Sequence, residues 1–308
     1  MQIIAYHYVR ELKHTRFPEI KGITIDRFRE QLRFLKSNFT FVKIEDLIEA
    51  VYSNENKLPE NPCLLTFDDG YIDHYTNVLP ILDEHKIQGC FSPSAGAVLK
   101  NKLIDVNKIQ FIIASTPKQN EIVDGILSML DKYRTFYSLN ENDYYLSKFA
   151  KSWRLDSKEV IFIKRMLQKE LPINLRSKIT DSLFYEYVSK DETLFAKELY
   201  LSIDQLKCMR RNGMYIGGHG FNHYWLGDVD VNTQRKEISM TLQLLKEVGM
   251  DIDNWVMCYP CGSYNNSLIS LLKQKGCKIG LAMKIAAADL NRDDPFSLPR
   301  LRPNDLPV

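Results

Sequence analysis

The chain has 308 residues, with 41 Lys and Arg against 39 Asp and Glu, so a formal charge of +2 with neutral histidines offers no basic excess for binding nucleic acid through counterion release. A hydrophobic fraction of 44% with 11% aromatic residues can bury a sizeable core and excludes a disordered chain. The length suits either two domains or one large α/β barrel.

Met1 to Arg10 is a short apolar run that meets His7 and Arg10 too early for the apolar region of a signal peptide. No run long enough for a membrane span occurs, so the chain as given reads as cytoplasmic. Its six cysteines lie scattered in apolar segments, the pattern of reduced, buried thiols. Cys258 and Cys261 form a C-x-x-C. The pair lies late in the chain and runs into Gly262, unlike a redox motif opening the first helix of a thioredoxin-like unit, and a redox protein is the weakest reading.

In chain order, Gln2 to Tyr6 predicts a short buried strand. Thr24 caps a helix with Ile25, Phe28, Leu32 and Leu35 on one face. Phe39 to Val42 predicts a strand, Lys43 to Tyr52 a helix, and Cys63 to Phe67 the continuous apolar run of a parallel strand. After Gly70, a helical stripe of Tyr75, Val78, Leu79 and Leu82 carries Pro80 as a kink site, and Gly89 to Phe91 starts a further strand. Between about Leu103 and Leu199 the strand runs give way to charged segments of helical period, such as Lys158 to Leu171. Helices over Asp204–Asn212, Thr233–Val248 and Ser267–Lys275 then alternate with strands at Met214–Ile216, Trp255–Cys258 and Lys278–Ala282. The pattern predicts a parallel β/α barrel interrupted by a helical insertion.

Three motifs follow predicted strands, where a β/α barrel carries its active site. In Thr66-Phe67-Asp68-Asp69-Gly70-Tyr71, two adjacent carboxylates at a buried strand end repel each other unless a cation or a proton resolves the conflict; the alternative is a capping pair opening the next helix. In Gly217-Gly218-His219-Gly220-Phe221-Asn222-His223, histidines at i and i+4 can share a face of one helical turn, and with one carboxylate they would make a His₂Asp set open at a fourth position; alone, such a spacing is more often a surface or core pair than a ligand pair. Tyr259-Pro260-Cys261-Gly262-Ser263-Tyr264-Asn265 is a turn whose backbone N–H groups either face a ligand or serve an ordinary connection.

Together these motifs resemble the polysaccharide deacetylase family with the NodB homology domain, carbohydrate esterase family 4. The likeness extends to Tyr6-His7-Tyr8-Val9 and to residues 23–47, 78–91 and 201–226. The resemblance implies a distorted, NodB-like (β/α) barrel formed by residues 1–100 and 200–308, with a helical insertion over 101–199. It also implies metal-dependent removal of acetyl groups, chiefly N-acetyl, from a sugar, polysaccharide or glycan precursor. By motif position, Asp69, His219 and His223 would hold a divalent metal, zinc by ligand type with cobalt or nickel as alternatives. Asp68 would be the general base, and the backbone N–H of Cys261 would donate to the oxyanion. The implied partner is an acetylated carbohydrate, with no nucleic acid, and with membrane contact only through a lipid-linked substrate.

Two departures from the family pattern stand out. Cys258 and Cys261 occupy the places of an Arg that orients the base and of a Tyr, and no histidine follows His223 to serve as the usual general acid. Arg300, in Leu298-Pro299-Arg300, is a candidate for the missing cation beside Asp68, against a surface ion pair. His7 is a second catalytic candidate on the same rim, against a packed, hydrogen-bonded histidine. Loss of turnover, leaving a carbohydrate-binding or assembly protein of the same fold, is the alternative reading. The 150 positions from Asp69 to His219 leave room for the insertion, which enters after Phe91 and Ser92 and is expected to wall the substrate cleft or to serve as scaffold. Its apolar stripe over Val160–Leu171 reads as core packing rather than an interfacial helix, and His14, His74 and His85 read as surface or capping residues.

Overall fold

Among the described residues, seven short parallel strands carry the fold: β1 (Gln2–Tyr6), β2 (Thr40–Phe41), β3 (Pro62–Asp69), β4 (Gly89–Pro93), β5 (Tyr215–Ile216), β6 (Trp255–Cys258) and β7 (Cys277–Leu281). In the computed structural model, which describes residues 1–53, 58–153 and 156–307, they run side by side in the order β1-β3-β4-β5, with β2 paired to the foot of β3, and β6 is paired with β7. Single bridges complete the ring. Gly218 joins Met257, Leu281 joins Leu298, and Leu301 joins Ile4, all parallel. The Leu298–Leu301 segment thus acts as the closing strand of a distorted barrel, its Leu301 N–H donating to the Ile3 carbonyl at 2.8 Å while the Ala5 N–H donates back to Leu301 at 2.8 Å.

Strand alternation divides the buried residues into two layers. Ile3, Leu64, Cys90, Tyr215, Val256, Cys258, Ile279 and Leu281 form one cluster, with Leu298 and with Ile44 and Leu47 at its base. Because every long strand contributes to it, this cluster is the barrel interior. Their neighbours Ile4, Leu65, Phe91, Ile216 and Met257 face outward into the larger cluster shared with the surrounding helices.

The helices of the barrel and its insertion are, in chain order, α1 (Ile25–Asn38), α2 (Ile44–Tyr52), α3 (Leu79–His85), α4 (Ala95–Lys100), α5 (Asp105–Ser115), α6 (Gln119–Tyr137), α7 (Asn142–Phe149), α8 (Lys158–Arg165), α9 (Ile173–Tyr187), α10 (Glu192–Leu199), α11 (Ile203–Arg211), α12 (Val231–Val248) and α13 (Asn266–Gln274). The Thr24 hydroxyl accepts from the Arg27 N–H and so caps α1 as its sequence predicts. The kink expected at Pro80 is a π-helical turn, His74–Val78, that runs into α3 with Pro80 in its first turn.

Two compact units result: Met1–Glu11, Gly22–Lys102 and Ala196–Val308 form the barrel unit, and Leu12–Lys21 with Leu103–Phe195 form the helical one. Residues 12–21, which the sequence pattern assigns to the barrel, belong to the helical unit because Phe17 packs edge-on against Phe111 and Phe195 at 5.1 and 6.0 Å. Inside this unit Phe162, Ile163, Met166, Leu167 and Leu171 are buried, the core packing expected for that stripe. Lys108 is buried too, and its ammonium bridges Asp181 at 2.5 Å and Glu192 at 2.7 Å. Among the described residues no helix is long and apolar enough to cross a membrane.

Phe67 anchors the outward layer, stacked on Phe91 at 4.7 Å and on Tyr6 at 5.3 Å with Phe28 edge-on at 6.0 Å. Truncation to Ala should cost about 3–5 kcal/mol in urea unfolding; a cost below about 1 kcal/mol would contradict this packing.

Candidate active site at the barrel mouth

The period of β3 sends adjacent aspartates in different directions. Leu64 faces the barrel interior, so Thr66 and Asp68 do as well, and their polar atoms need partners inside the ring. Arg300 supplies them. It is fully buried, and its guanidinium donates to Asp68 Oδ1 at 2.8 Å, Asp68 Oδ2 at 2.7 Å and Thr66 Oγ1 at 3.0 Å, with Nε reaching the Ala282 carbonyl at 3.3 Å. The alternative of a surface ion pair for Arg300 does not hold. Burial alone would push Asp68 up, but the charge and hydrogen bonds of Arg300 outweigh it and hold the carboxyl below the usual carboxylate range. Cys258, at the family's Arg place, accepts from Ser92 Oγ at 3.1 Å and lies 3.5 Å from the same guanidinium. Its thiol, pushed up to about 12 by burial, is inert as a nucleophile. Cys258 is buried and Cys261 exposed, and both are free thiols.

Asp69 leaves the strand with φ +73, followed by Gly70 at φ +79. A side chain at Gly70 would bring Cβ within 2.4 Å of Pro93 Cβ, so this turn requires glycine. The turn aims Asp69 at the histidine loop rather than at a helix start, which removes the capping alternative. Its Oδ2 accepts from the Tyr71 hydroxyl at 2.5 Å. Its Oδ1 is buried without a hydrogen bond, although Nε2 of His219 and of His223 lie only 3.2 and 3.3 Å away.

The ligand atoms of these three residues all fall within 4.8 Å of one another. His219 Nδ1 lies 2.8 Å from the Cys258 carbonyl, which can only accept, so Nδ1 carries the proton and Nε2 presents a lone pair. Three donor atoms that converge on one another, one of them a buried carboxylate oxygen with no well-aligned hydrogen bond, fit a divalent cation. Burial opposes charge on Asp69, and the two imidazoles outweigh it, holding the carboxyl well below its usual range. Burial likewise opposes charge on His223, yet Asp69 and the Cys261 thiol draw its pKa well above the usual histidine value.

The histidines do not share a helical turn as their spacing suggested. Residues 217–223 form a loop that turns through Gly220 at φ +71 and His223 at φ +58, and this turn, rather than helical period, brings both rings to Asp69. Cys261 also has left-handed backbone, φ +54, and its N–H takes no part in the hydrogen bonds that hold residues 259–263. His7 is half-buried. It directly follows Tyr6, the last residue of β1, which pairs with Phe67, and is near enough to act electrostatically on both Asp68 and Asp69. His74 overturns the expectation of a surface or capping residue: it is wholly buried, packs between Phe67 and Phe91 at 5.6 Å from each, and donates through Nε2 to the His7 carbonyl at 2.9 Å.

Two supporting residues escaped the sequence reading. Tyr71 had a signal in its closeness to Asp69. Glu237 had another, since it lies on the buried stripe of α12 with Gln234, Ile238, Thr241 and Leu245, and a charge on an apolar stripe needs a partner.

The polysaccharide deacetylase family matches residues 55–134 and 182–280. A curated relative, the poly-beta-1,6-N-acetyl-D-glucosamine N-deacetylase of Escherichia coli (strain K12), is 35% identical over 92 residues, which span 29% of this chain and 13% of that protein. The chain also shares its fold with the Streptococcus pyogenes deacetylase PplD in complex with acetate (TM-score 0.59, 17% identity, 98% of this chain and 91% of that one). IcaB from Ammonifex degensii (0.56, 16%, 98% and 90%) and the BpsB deacetylase domain from Bordetella bronchiseptica (0.57, 14%, 98% and 94%) have the same fold. With more than half of its length matched, an α/β barrel carrying the Asp-Asp and His-x-x-x-His motifs at its mouth, the chain belongs to the polysaccharide deacetylase family.

Proposed function

We propose that the chain is a metal-dependent N-deacetylase of an N-acetylated glycan. The observation that carries this reading is the unpartnered Asp69 Oδ1 set between the Nε2 atoms of His219 and His223, with the ionised Asp68 beside it. The named activity of the E. coli relative supports a polymer of N-acetylhexosamine as the substrate class.

Asp69, His219 and His223 would hold the ion, zinc by donor type with cobalt or nickel as alternatives. Bound there, a divalent ion supplies Lewis-acid polarisation of the acetamide carbonyl and acidifies a water molecule. Asp68 takes that water's proton. The bidentate contact with Arg300 makes Asp68 a weak base, suited to a water already acidified and held in one orientation. The Cys261 N–H donates to the carbonyl oxygen as it gains charge. His7, near Asp68 at the end of β1, delivers a proton to the departing amine and fills the role for which no histidine follows His223.

Acetate release from N-acetylglucosamine oligomers, measured with added zinc or cobalt, tests these roles. Asp68→Asn should keep its metal and lose at least about 100-fold in turnover. His7→Ala should slow amide substrates by a similar factor while sparing aryl acetates, whose leaving group needs no proton. Wild-type rates in either variant would remove that residue's role, and metal binding without acetate from any acetylated glycan would favour the binding-protein alternative.

The Asp68–Arg300 pair also makes a pH prediction. In the wild type the folded pKa of Asp68 lies below its unfolded value of about 3.9, so the pair's contribution is complete above that value and is lost as the pH falls through the folded pKa. Arg300→Leu removes the main group that opposes burial and so raises the pKa of Asp68. The variant should therefore be destabilised by about 3–5 kcal/mol near neutral pH, with the deficit shrinking as the pH falls and Asp68 takes up a proton. Urea unfolding at neutral and at mildly acidic pH reads this directly; an equal deficit at both would contradict it.

A further inference from the structure

The loop between the two histidines has no regular secondary structure of its own, yet both rings must meet Asp69. Glu237, on α12, lies under this loop and is only 2% exposed. Its Oε2 accepts from the backbone N–H groups of Phe221 at 2.7 Å and Asn222 at 2.8 Å. Its Oε1 accepts from Asn222 Nδ2 at 2.6 Å. The Asn222 side chain is held from its other end as well, since Oδ1 accepts from Lys102 Nζ at 2.8 Å. On the opposite side of the loop, the Ala95 and Gly96 N–H groups donate to the carbonyls of Gly220 at 2.9 Å and Phe221 at 3.0 Å. Glu237 thus fixes the peptide groups that separate His219 from His223, and it does so with a buried charge met by three N–H donors.

We propose that Glu237 is a positioning residue for the metal site: through Phe221 and Asn222 it holds the loop in the one backbone shape that brings Nε2 of both histidines to Asp69. A neutral hydrogen-bonding residue would suffice to fill the space. A carboxylate serves because two backbone donors and one amide donor converge on it, and because charge-assisted bonds resist the twist that the left-handed residues Gly220 and His223 impose. The proposal rests on the reading of Asp69, His219 and His223 as metal ligands.

Exchange of the hydrogen-bonding partners tests it. In Glu237→Gln, an amide N–H faces Asn222 Nδ2, donor against donor. In Asn222→Asp, a carboxylate faces Glu237. In the double variant Glu237→Gln/Asn222→Asp the pairing is restored with reversed polarity, because the amide introduced on α12 donates to one oxygen of the carboxylate introduced on the loop, and Lys102 pairs with the other. Cobalt(II) is titrated into the metal-free full-length protein and followed by visible absorption, with the melting temperature of each metal-free variant measured alongside. Each single variant should bind cobalt about tenfold more weakly or worse, and the double variant should recover most of that loss. Should Glu237→Gln fail to fold, Asn222→Asp carries the same expectation from the loop side. Unchanged cobalt affinity in the single variants, or a double variant no tighter than the weaker single one, overturns the positioning role and leaves the ligand assignment standing. Absence of cobalt binding by the wild type as well overturns both.

Discussion

Two adjacent carboxylates buried at the mouth of a barrel have to be neutralised from two directions, and the rest of this molecule is arranged around that requirement. Strand period turns Asp68 into the barrel, and the left-handed residue Asp69 turns the second carboxylate outward over the rim. Asp68 then needs a cation inside the ring and receives Arg300 from a point 232 residues further along the chain. Asp69 needs one at the mouth. The two imidazoles approach its Oδ1 without a well-aligned hydrogen bond, and the convergence of all three ligand atoms is why the cluster reads as a cation site. Tyr71 on the other carboxylate oxygen fixes which lone pairs remain available.

The barrel makes this division possible because its closing segment does two jobs. Leu298 and Leu301 complete the ring by bridging β7 and β1, and Arg300 between them projects into the upper interior, among Thr66, Asp68 and Cys258. The interior is therefore apolar at its base, with Leu64, Val256 and Ile279, and polar at its top. Under the proposed function, the fixed, ionised base and the open coordination position both draw on that gradient. The electrostatics are local, and the near-zero net charge of the whole chain is compatible with an uncharged acetylated glycan.

Much of the fold was legible because it depends on period and punctuation. Thr24 and the stripe from Phe28 to Leu35 mark α1, the unbroken apolar run before Asp68 marks β3, and Trp255 to Cys258 is a strand with the bounds its composition suggests. Asp69, His219 and His223 were also recognisable as a set, but their geometry was not: a spacing of four residues is the same on a helical turn and in a loop that reverses at a glycine, and only tertiary contacts with Glu237 and α4 decide for the loop. Arg300 and His74 were hard to read for a related reason. Charged and polar residues are exposed by default, and their burial depends on partners far away in sequence, Asp68 for one and the carbonyl of His7 for the other. Residues 12–21 join the helical unit through aromatic contacts of the same long-range kind.

The most direct test of the central claim is a zinc titration of the metal-free protein, with bound metal and acetate release from an N-acetylglucosamine oligomer followed together. The account predicts that activity rises in proportion to occupancy, saturates at about one ion per chain as expected for a single three-ligand catalytic site, and is lost with the tight binding in Asp69→Asn. Full acetate release by the metal-free protein, or zinc binding of wild-type strength in Asp69→Asn, would contradict it.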